Sequence, residues 1–311
     1  MQKLDIATNW QVNFATAADC PTTPSDSKLL WSDEQGLAVS STAVGAAVEY
    51  QMRFWDQALA HIQPQLKSIN LIALSGNAIE ATLEHLLIDQ IYPRLLAHEG
   101  QLVLHAGAVE ISGKLALFLG DSGMGKSTIV ASLFQAGASL LNDDTLVVGQ
   151  DACGFSGQAI YHGLRLLPDS LASLFPMQTE TRQMAHYSPK QRLNVVMPDD
   201  QDTGAQPLGA MFFLAPATDD QVISLRLMSA AETCMGIITN SFSLDPTDTL
   251  LACKKLQQAS TLANAVPAFE LSYPRNYAVL PQVHTRIRQQ MAECAALKQK
   301  THERTHRLFG R

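Results

Sequence analysis

The residues Gly120-Asp121-Ser122-Gly123-Met124-Gly125-Lys126-Ser127 follow the pattern G-x-x-x-x-G-K-[ST] and run on into Thr128. The glycines allow a backbone to wrap an anion in conformations that side-chain-bearing residues disfavour, so that several N–H groups converge on a phosphate. Lys126 has the reach to contact β- and γ-phosphates, and the Ser127 hydroxyl can ligate Mg²⁺. The competing reading is an incidental glycine turn. Context argues against it: an apolar run precedes the loop and a helical pattern opens at its end, which adds the positive end of a helix dipole to the site.

The second candidate is Asp143-Asp144, a carboxylate pair at the end of an apolar strand. One could hold Mg²⁺ while the other accepts a proton from an attacking hydroxyl. Alone, the pair reads equally well as a helix N-cap or an Asx-turn.

Several elements must position these groups. Ile79, Leu83, Leu86, Leu87, Ile91 and Leu95 recur at helical spacing between Ala78 and Ala97, with Pro93 expected to kink or restart the helix. Leu102 to Ile111 and Leu115 to Leu119 read as two strands of a hairpin turning at Ser112-Gly113-Lys114. Ser127 to Ala136 reads as a helix ended by Gly137, and Ala138 to Leu141 as a strand leading into Asn142-Asp143-Asp144. Further on, Leu164 to Leu167, Ala210 to Leu214 and Ala268 to Leu271 read as strands. Ser229 to Ile238, Asp248 to Ala263 and Pro281 to Lys298 read as helices, and Met177 to Gln191 and Pro198 to Pro207 as polar, turn-rich loops. Residues 1 to about 75 mix short alternating segments with polar breaks, the pattern of a small strand-rich region.

The chain has 311 residues, 46% of them hydrophobic, enough to bury a substantial core, and carries a net charge of -7. That charge provides no broad basic field for nucleic acid or anionic membrane. No stretch approaches the roughly 20 apolar residues of a membrane span, and the N-terminus lacks an apolar leader core, so a soluble cytoplasmic protein is expected. Cys20, Cys153, Cys234, Cys253 and Cys294 are scattered, without a C-x-x-C pair, as free thiols of a reducing compartment would be.

Around the loop the chain resembles the C-terminal catalytic domain of the HPr kinase/phosphorylase family. The resemblance rests on Leu104-His105-Ala106-Gly107-Ala108, on the GDSGMGKS loop, and on Gly137 followed by Leu140-Leu141-Asn142-Asp143-Asp144, and it covers about residues 100 to 146. It implies an α/β fold related to the phosphoenolpyruvate carboxykinases, a P-loop domain with a mixed sheet over 76–311. The small region 1–75 lies outside the matched core, and on that ground is expected to recruit the acceptor. It also implies ATP and Mg²⁺ as cofactors, Lys126 on the phosphates, Ser127 and Asp144 near the metal, Asp143 as base toward an acceptor serine, and His105 close to the reacting phosphate. Without the resemblance, His105 would read as a strand histidine with a structural role.

The family's later E-I-R-G-L-G segment, which supplies a metal-holding glutamate, corresponds here to His162-Gly163-Leu164-Arg165-Leu166-Leu167-Pro168. An arginine is present but no glutamate, which leaves the second metal contact and the reverse phosphorolysis reaction outside what the resemblance implies. The segment is closer to a divergent branch of HPr-kinase-related proteins with L-R-L-x-P-D, K-x-R and Y-P-R phrases, some of which phosphorylate a precursor peptide. That branch makes Arg165, Lys190, Arg192 and Arg275 candidate phosphate or acceptor contacts, against the alternative of solvated surface charges.

His302-Glu303-Arg304-Thr305-His306 matches H-E-x-x-H, but its polar surroundings at the chain end offer nothing to enclose a zinc site. The expected function is therefore a kinase that transfers the γ-phosphoryl group of ATP to a hydroxyl, a serine of a protein or peptide. Its partners are a nucleoside triphosphate and that acceptor, with homo-oligomerisation left open. A non-catalytic nucleotide-binding regulatory module and a small-molecule kinase are the alternatives.

Overall fold

The computed structural model describes residues 9–19, 25–34, 36–75, 80–177, 180–193, 204–217 and 222–309, with side chains as far as 297. Cys20, the first residues of the helix expected from Ala78, most of the loop expected over Pro198 to Pro207, and the H-E-x-x-H side chains lie outside the described residues.

The first six strands are β1 (Gln11–Thr16), β2 (Lys28–Ser32), β3 (Leu37–Val44), β4 (Ala47–Phe54), β5 (Ala58–Gln63) and β6 (Ser68–Ala73). They form one sheet in the order β1-β6-β5-β4-β3-β2, antiparallel except for the β1–β6 pair. One face is apolar because Val39, Met52, Ala60, Ile62, Ile69 and Leu71 share it. That face is covered by a helical segment made of α1 (Glu80–His85), a π-helical turn (Leu86–Ile91) and α2 (Tyr92–His98). The segment buries Leu86, Leu87, Ile91, Tyr92 and Leu95 against the sheet. Pro93, in the first turn of α2, has no N–H and crowds the preceding carbonyls; just before it the ladder widens, so that the Tyr92 N–H reaches Leu87 O. The expected disruption at Pro93 therefore falls one turn earlier and places Asp89 at its centre.

A second sheet follows: β7 (Leu102–His105), β8 (Gly107–Ile111), β9 (Lys114–Leu119), β10 (Ser139–Asn142), β11 (Thr145–Asp151) and β12 (Gly154–Ala159). The single strand expected over Leu102 to Ile111 breaks at Ala106. β7 pairs with β11 whereas β8 pairs with β9 and β10, because the chain steps from one sheet neighbour to another. The β8–β9 turn holds Ser112 and Gly113 at φ 54° and 78°, as a tight two-residue hairpin requires. Helix α3 (Lys126–Gln135) lies between β9 and β10.

β13 (Leu164–Leu166), β14 (Thr181–Ala185) and β15 (Ser188–Leu193) form a small separate sheet, with α4 (Pro168–Leu174) between its first two strands. The segment Met177 to Gln191, expected as loop, thus contains a hairpin. Its polar strands are satisfied by pairing with one another and with β13 rather than by an apolar alternation visible in the residues.

The hub of the second sheet is β16 (Gln206–Leu214), parallel to β9 on one side and to β18 (Ala268–Ser272) on the other, with its first residues paired to β12. β17 (Ser224–Leu227) adds an antiparallel edge on β18. Helices α5 (Ala230–Thr239) and α6 (Thr249–Ala265) cover one face, and α3 and α7 (Leu280–Phe309) the other. Along β9 the alternation explains the continuous apolar run: Ala116 and Phe118 face α3 and α7, whereas Leu115, Leu117 and Leu119 face α5 and α6. Phe118 stacks on Phe212 with ring centroids 5.5 Å apart, and burying each such ring contributes roughly 1.5–3 kcal/mol. The result is a mixed α/β architecture. Among the described residues no helix is long and apolar enough to cross a membrane.

Candidate functional site

The loop from Gly120 to Gly125 joins the end of β9 to the start of α3, at the C-terminal edge of the parallel strands β9 and β16. Gly120, Gly123 and Gly125 sit at φ 142°, 82° and 91°, and Gly125 forms the left-handed cap from which α3 begins. A side chain would strain each of them. The first amide of the loop is held from outside: Gly120 N–H donates to Asn240 Oδ1 at 3.1 Å, while Asn240 Nδ2 donates to Gly236 O at 2.9 Å. Asn240 ends α5, so a distant helix terminus fixes the start of the loop. Met124, within the loop, turns its side chain toward the α3 core.

Lys126 is buried, and its ammonium folds back to donate to Gly120 O at 2.6 Å and Asp121 O at 3.1 Å. Burial pushes it below its ordinary value, against the pull of Asp144. A cavity of about 120 Å³ gathers Lys126, Ser122, Gly123, Gly125, Ser127 and Thr128 with His105, Asp144, Arg165 and Lys190. Of the residues singled out in the sequence, this brings together the loop, the β7 histidine, one carboxylate and two of the four basic residues.

Asp143 is not on that wall. Its carboxylate is buried behind the cavity, with Oδ2 accepting the Arg165 N–H at 2.8 Å and Oδ1 facing the Arg165 guanidinium at 3.3 Å. Burial holds its carboxyl above the usual range, more than Arg165 offsets, with Asp144 adding to the rise. Asp144 is the partly exposed member. Its Oδ1 lies 3.2 Å from His105 Nδ1 and its Oδ2 3.2 Å from Arg165 Nη2. Burial disfavours its charge, but His105 and Arg165 together keep the carboxyl below the usual range. Because an ionised Asp144 only accepts, the His105 Nδ1 carries the proton and Nε2 is left as acceptor. Burial also pushes the His105 imidazolium down, so the ring is neutral near pH 7.

Arg165 is not a free phosphate contact. It is almost fully buried and also pairs with Asp89, which in turn bonds His85 Nδ1 at 2.5 Å. Three carboxylates outweigh the cost of burying the guanidinium and raise its pKa further. Arg192 is held elsewhere, 3.5 Å from the buried Glu84. Arg275 lines an adjoining cavity of about 230 Å³ with Gly123, Gly125, Thr128, Tyr273 and Tyr277. Its guanidinium lies 4.0 Å from the Tyr273 ring centroid, and Nη2 donates to Ala215 O at 2.6 Å.

The sequence reading missed Asp89 and Asn240. A carboxylate inside the apolar run Leu86-Leu87-Ile88-Asp89 was a signal for the first, since such a charge must find a buried partner. Nothing local marks Asn240.

Ser127 and Asp144, which both line this cavity, are the groups that could hold a Mg²⁺ ion. No group of three His, Cys, Asp or Glu side chains among the described residues could enclose a cation. This donor set fits a metal that arrives with substrate phosphates and keeps several waters, as Mg²⁺ does.

The sequence matches no family model and no curated protein. Among solved structures, the HPr(Ser) kinase/phosphatase from Coxiella burnetii is similar over 61% of this chain and 97% of that one, at 12% identity and a TM-score of 0.32. A likeness at this level assigns no residue a role.

Proposed function

We propose that this chain is an ATP-dependent kinase that transfers the γ-phosphoryl group to a hydroxyl, a serine of a protein or peptide. The observation that carries the reading is the three glycines in positive-φ conformations at the start of α3, opening onto one cavity with Lys126, Ser127, Asp144 and His105. Loop amides and the α3 N-terminus bind the phosphates, and Lys126 leaves its two carbonyl partners for the γ-phosphate. The nucleoside extends into the cavity of Tyr273, Arg275 and Tyr277, which is continuous with the loop through Gly123, Gly125 and Thr128. Mg²⁺, held by Ser127 and Asp144, would neutralise charge developing on the phosphates.

The base role expected of Asp143 passes in this reading to His105. Its Nε2 accepts the proton of the attacking hydroxyl, and Asp144 Oδ1 holds the ring and stabilises the imidazolium that forms. Asp143 acts through Arg165, which it fixes by main chain and side chain.

Binding of ATP and a nonhydrolysable analogue, with and without Mg²⁺, together with phosphate transfer to peptides of a host lysate, tests this in the wild type, Lys126→Ala, His105→Asn and Asp143→Asn. Lys126→Ala should lose binding. His105→Asn should bind yet transfer about 10²–10⁴-fold more slowly, a larger loss than Asp143→Asn. Equal binding by all forms, or by none, would overturn the phosphate-loop reading. A non-catalytic nucleotide-binding module is favoured by one observation, that Arg165 already engages both Asp143 and Asp144. Tight Mg-dependent binding with no transfer to any acceptor would establish it.

A further inference from the structure

Gly120, Asp121, Ser122 and His105 also line a second cleft, of about 420 Å³. Its other lining residues include Trp31, from β2 of the first sheet, Thr239 at the end of α5, the following residues up to Ser243, and Arg94 of α2, which lies between Trp31 and Phe242. The walls are tied together: Trp31 Nε1 donates to Leu244 O at 3.1 Å, and Phe242 N–H to Val103 O at 2.9 Å.

Arg94 is the unusual member. Its guanidinium lies 5.4 Å from the Trp31 ring centroid and 5.2 Å from that of Phe242, a slot between two aromatic faces. Its hydrogen bonds, from Nη1 to Gln90 O at 2.8 Å and to Gln90 Oε1 at 3.0 Å, are to neutral groups, and its buried Nε has no partner. Burial lowers its pKa to about 10. Asp33, the acid whose field acts on it, spends Oδ1 on the Leu37 N–H, and Asp121 on the cleft wall makes no ion pair with it. Among the described residues, the buried Arg165 is matched by three carboxylates and the partly buried Arg192 faces Glu84. A partly buried guanidinium held between two aromatic rings without a counter-ion is set to receive a planar anion.

We propose that this cleft is the acceptor site, and that Arg94 pairs with the carboxylate of an acidic residue flanking the serine to be phosphorylated; the substrate is thus an acidic peptide segment. The inference rests on the kinase reading above and deepens it. The cleft and the phosphate cavity share His105 and Ser122, and the Phe242 ring centroid lies 6.0 Å from that of His105 and 5.2 Å from the Arg94 guanidinium, so a serine seated beside His105 leaves a flanking acid within reach of Arg94. The first sheet supplies Trp31 to the specificity slot, and β1–β6 therefore contribute to acceptor selection.

The test uses two fluorescein-labelled octapeptides, one with a serine flanked by glutamates and one with glutamines in their place, titrated by anisotropy against the full chain. The wild type should bind the glutamate peptide at least about tenfold more tightly, the scale of a hydrogen-bonded charge pair. Arg94→Gln should abolish the difference and Arg94→Lys should keep part of it. As a check independent of any variant's folding, the wild-type preference should shrink between about 0.05 and 0.3 M NaCl. Equal binding of the two peptides, a preference unchanged in Arg94→Gln, or no binding of either overturns the proposal. ATP affinity measured on the same samples separates the two readings: a chain that binds no ATP but prefers the glutamate peptide fails as a kinase and keeps its acidic-peptide cleft.

Discussion

Arg165 donates its main-chain N–H to Asp143 Oδ2 at 2.8 Å and turns its guanidinium back to within 3.3 Å of Oδ1 of the same carboxylate. Two parts of one residue thus hold both oxygens of the other, and the guanidinium still reaches Asp144 and Asp89. A buried cation shared by three acids is a construction that cannot lose its centre.

Arg165→Met should therefore destabilise the chain by about 3–5 kcal/mol, because it leaves several buried carboxylates without a counter-charge. Urea midpoints of the variant and wild type measure this. A loss under about 1 kcal/mol would mean that the acids are solvated and the network is not structural.

Gly107 approaches the acid pair closely. A Cβ built there would stand 2.7 Å from Val130 Cγ2 and 3.3 Å from Asp143 O. Gly107→Ala should cost about 1–3 kcal/mol by overpacking between β8 and α3. The same change should slow phosphate transfer more than it weakens ATP binding, since the displaced backbone is that of Asp143. Wild-type stability would show that α3 shifts freely.

Asn240 tests whether a distant residue organises the loop. Asn240→Ala removes the acceptor for Gly120 N–H and should cost about 1 kcal/mol in stability while weakening ATP binding several-fold. Unchanged nucleotide affinity, read by isothermal calorimetry, would mean that the loop is held by β9 and α3 alone.

The dependence of stability on pH has a definite sign. His98, whose ring meets Tyr50 edge-on at 5.3 Å, and His284, bonded to Ser132 at 2.8 Å, are both pushed below the ordinary value of 6.5, chiefly by burial. The folded chain then binds fewer protons than the unfolded chain between 6.5 and the lowered values, so stability falls as pH drops through that window. His98→Gln should flatten part of the slope of urea midpoint against pH between about 7 and 5. A slope identical to wild type would remove His98 from the account.

Elements whose local chemistry is self-contained were legible in the residues alone. The hairpin turning at Ser112-Gly113, the glycine-rich loop opening α3, and the stop at Gly137 all follow from backbone conformations that few residues allow. Continuous apolar runs such as Leu115 to Leu119 announced a strand buried on both faces. The tertiary structure alone decided which acid meets the cavity, since adjacent residues leaving a strand point to opposite sides and only packing against β13 turns Asp143 toward Arg165. It alone brought Asp89 from the π turn, Asn240 from the end of α5, and Trp31 and Arg94 to the loop. Each of these contacts spans a sequence separation that no local periodicity encodes, and burial makes charge pairing a condition of the whole fold rather than of any one segment.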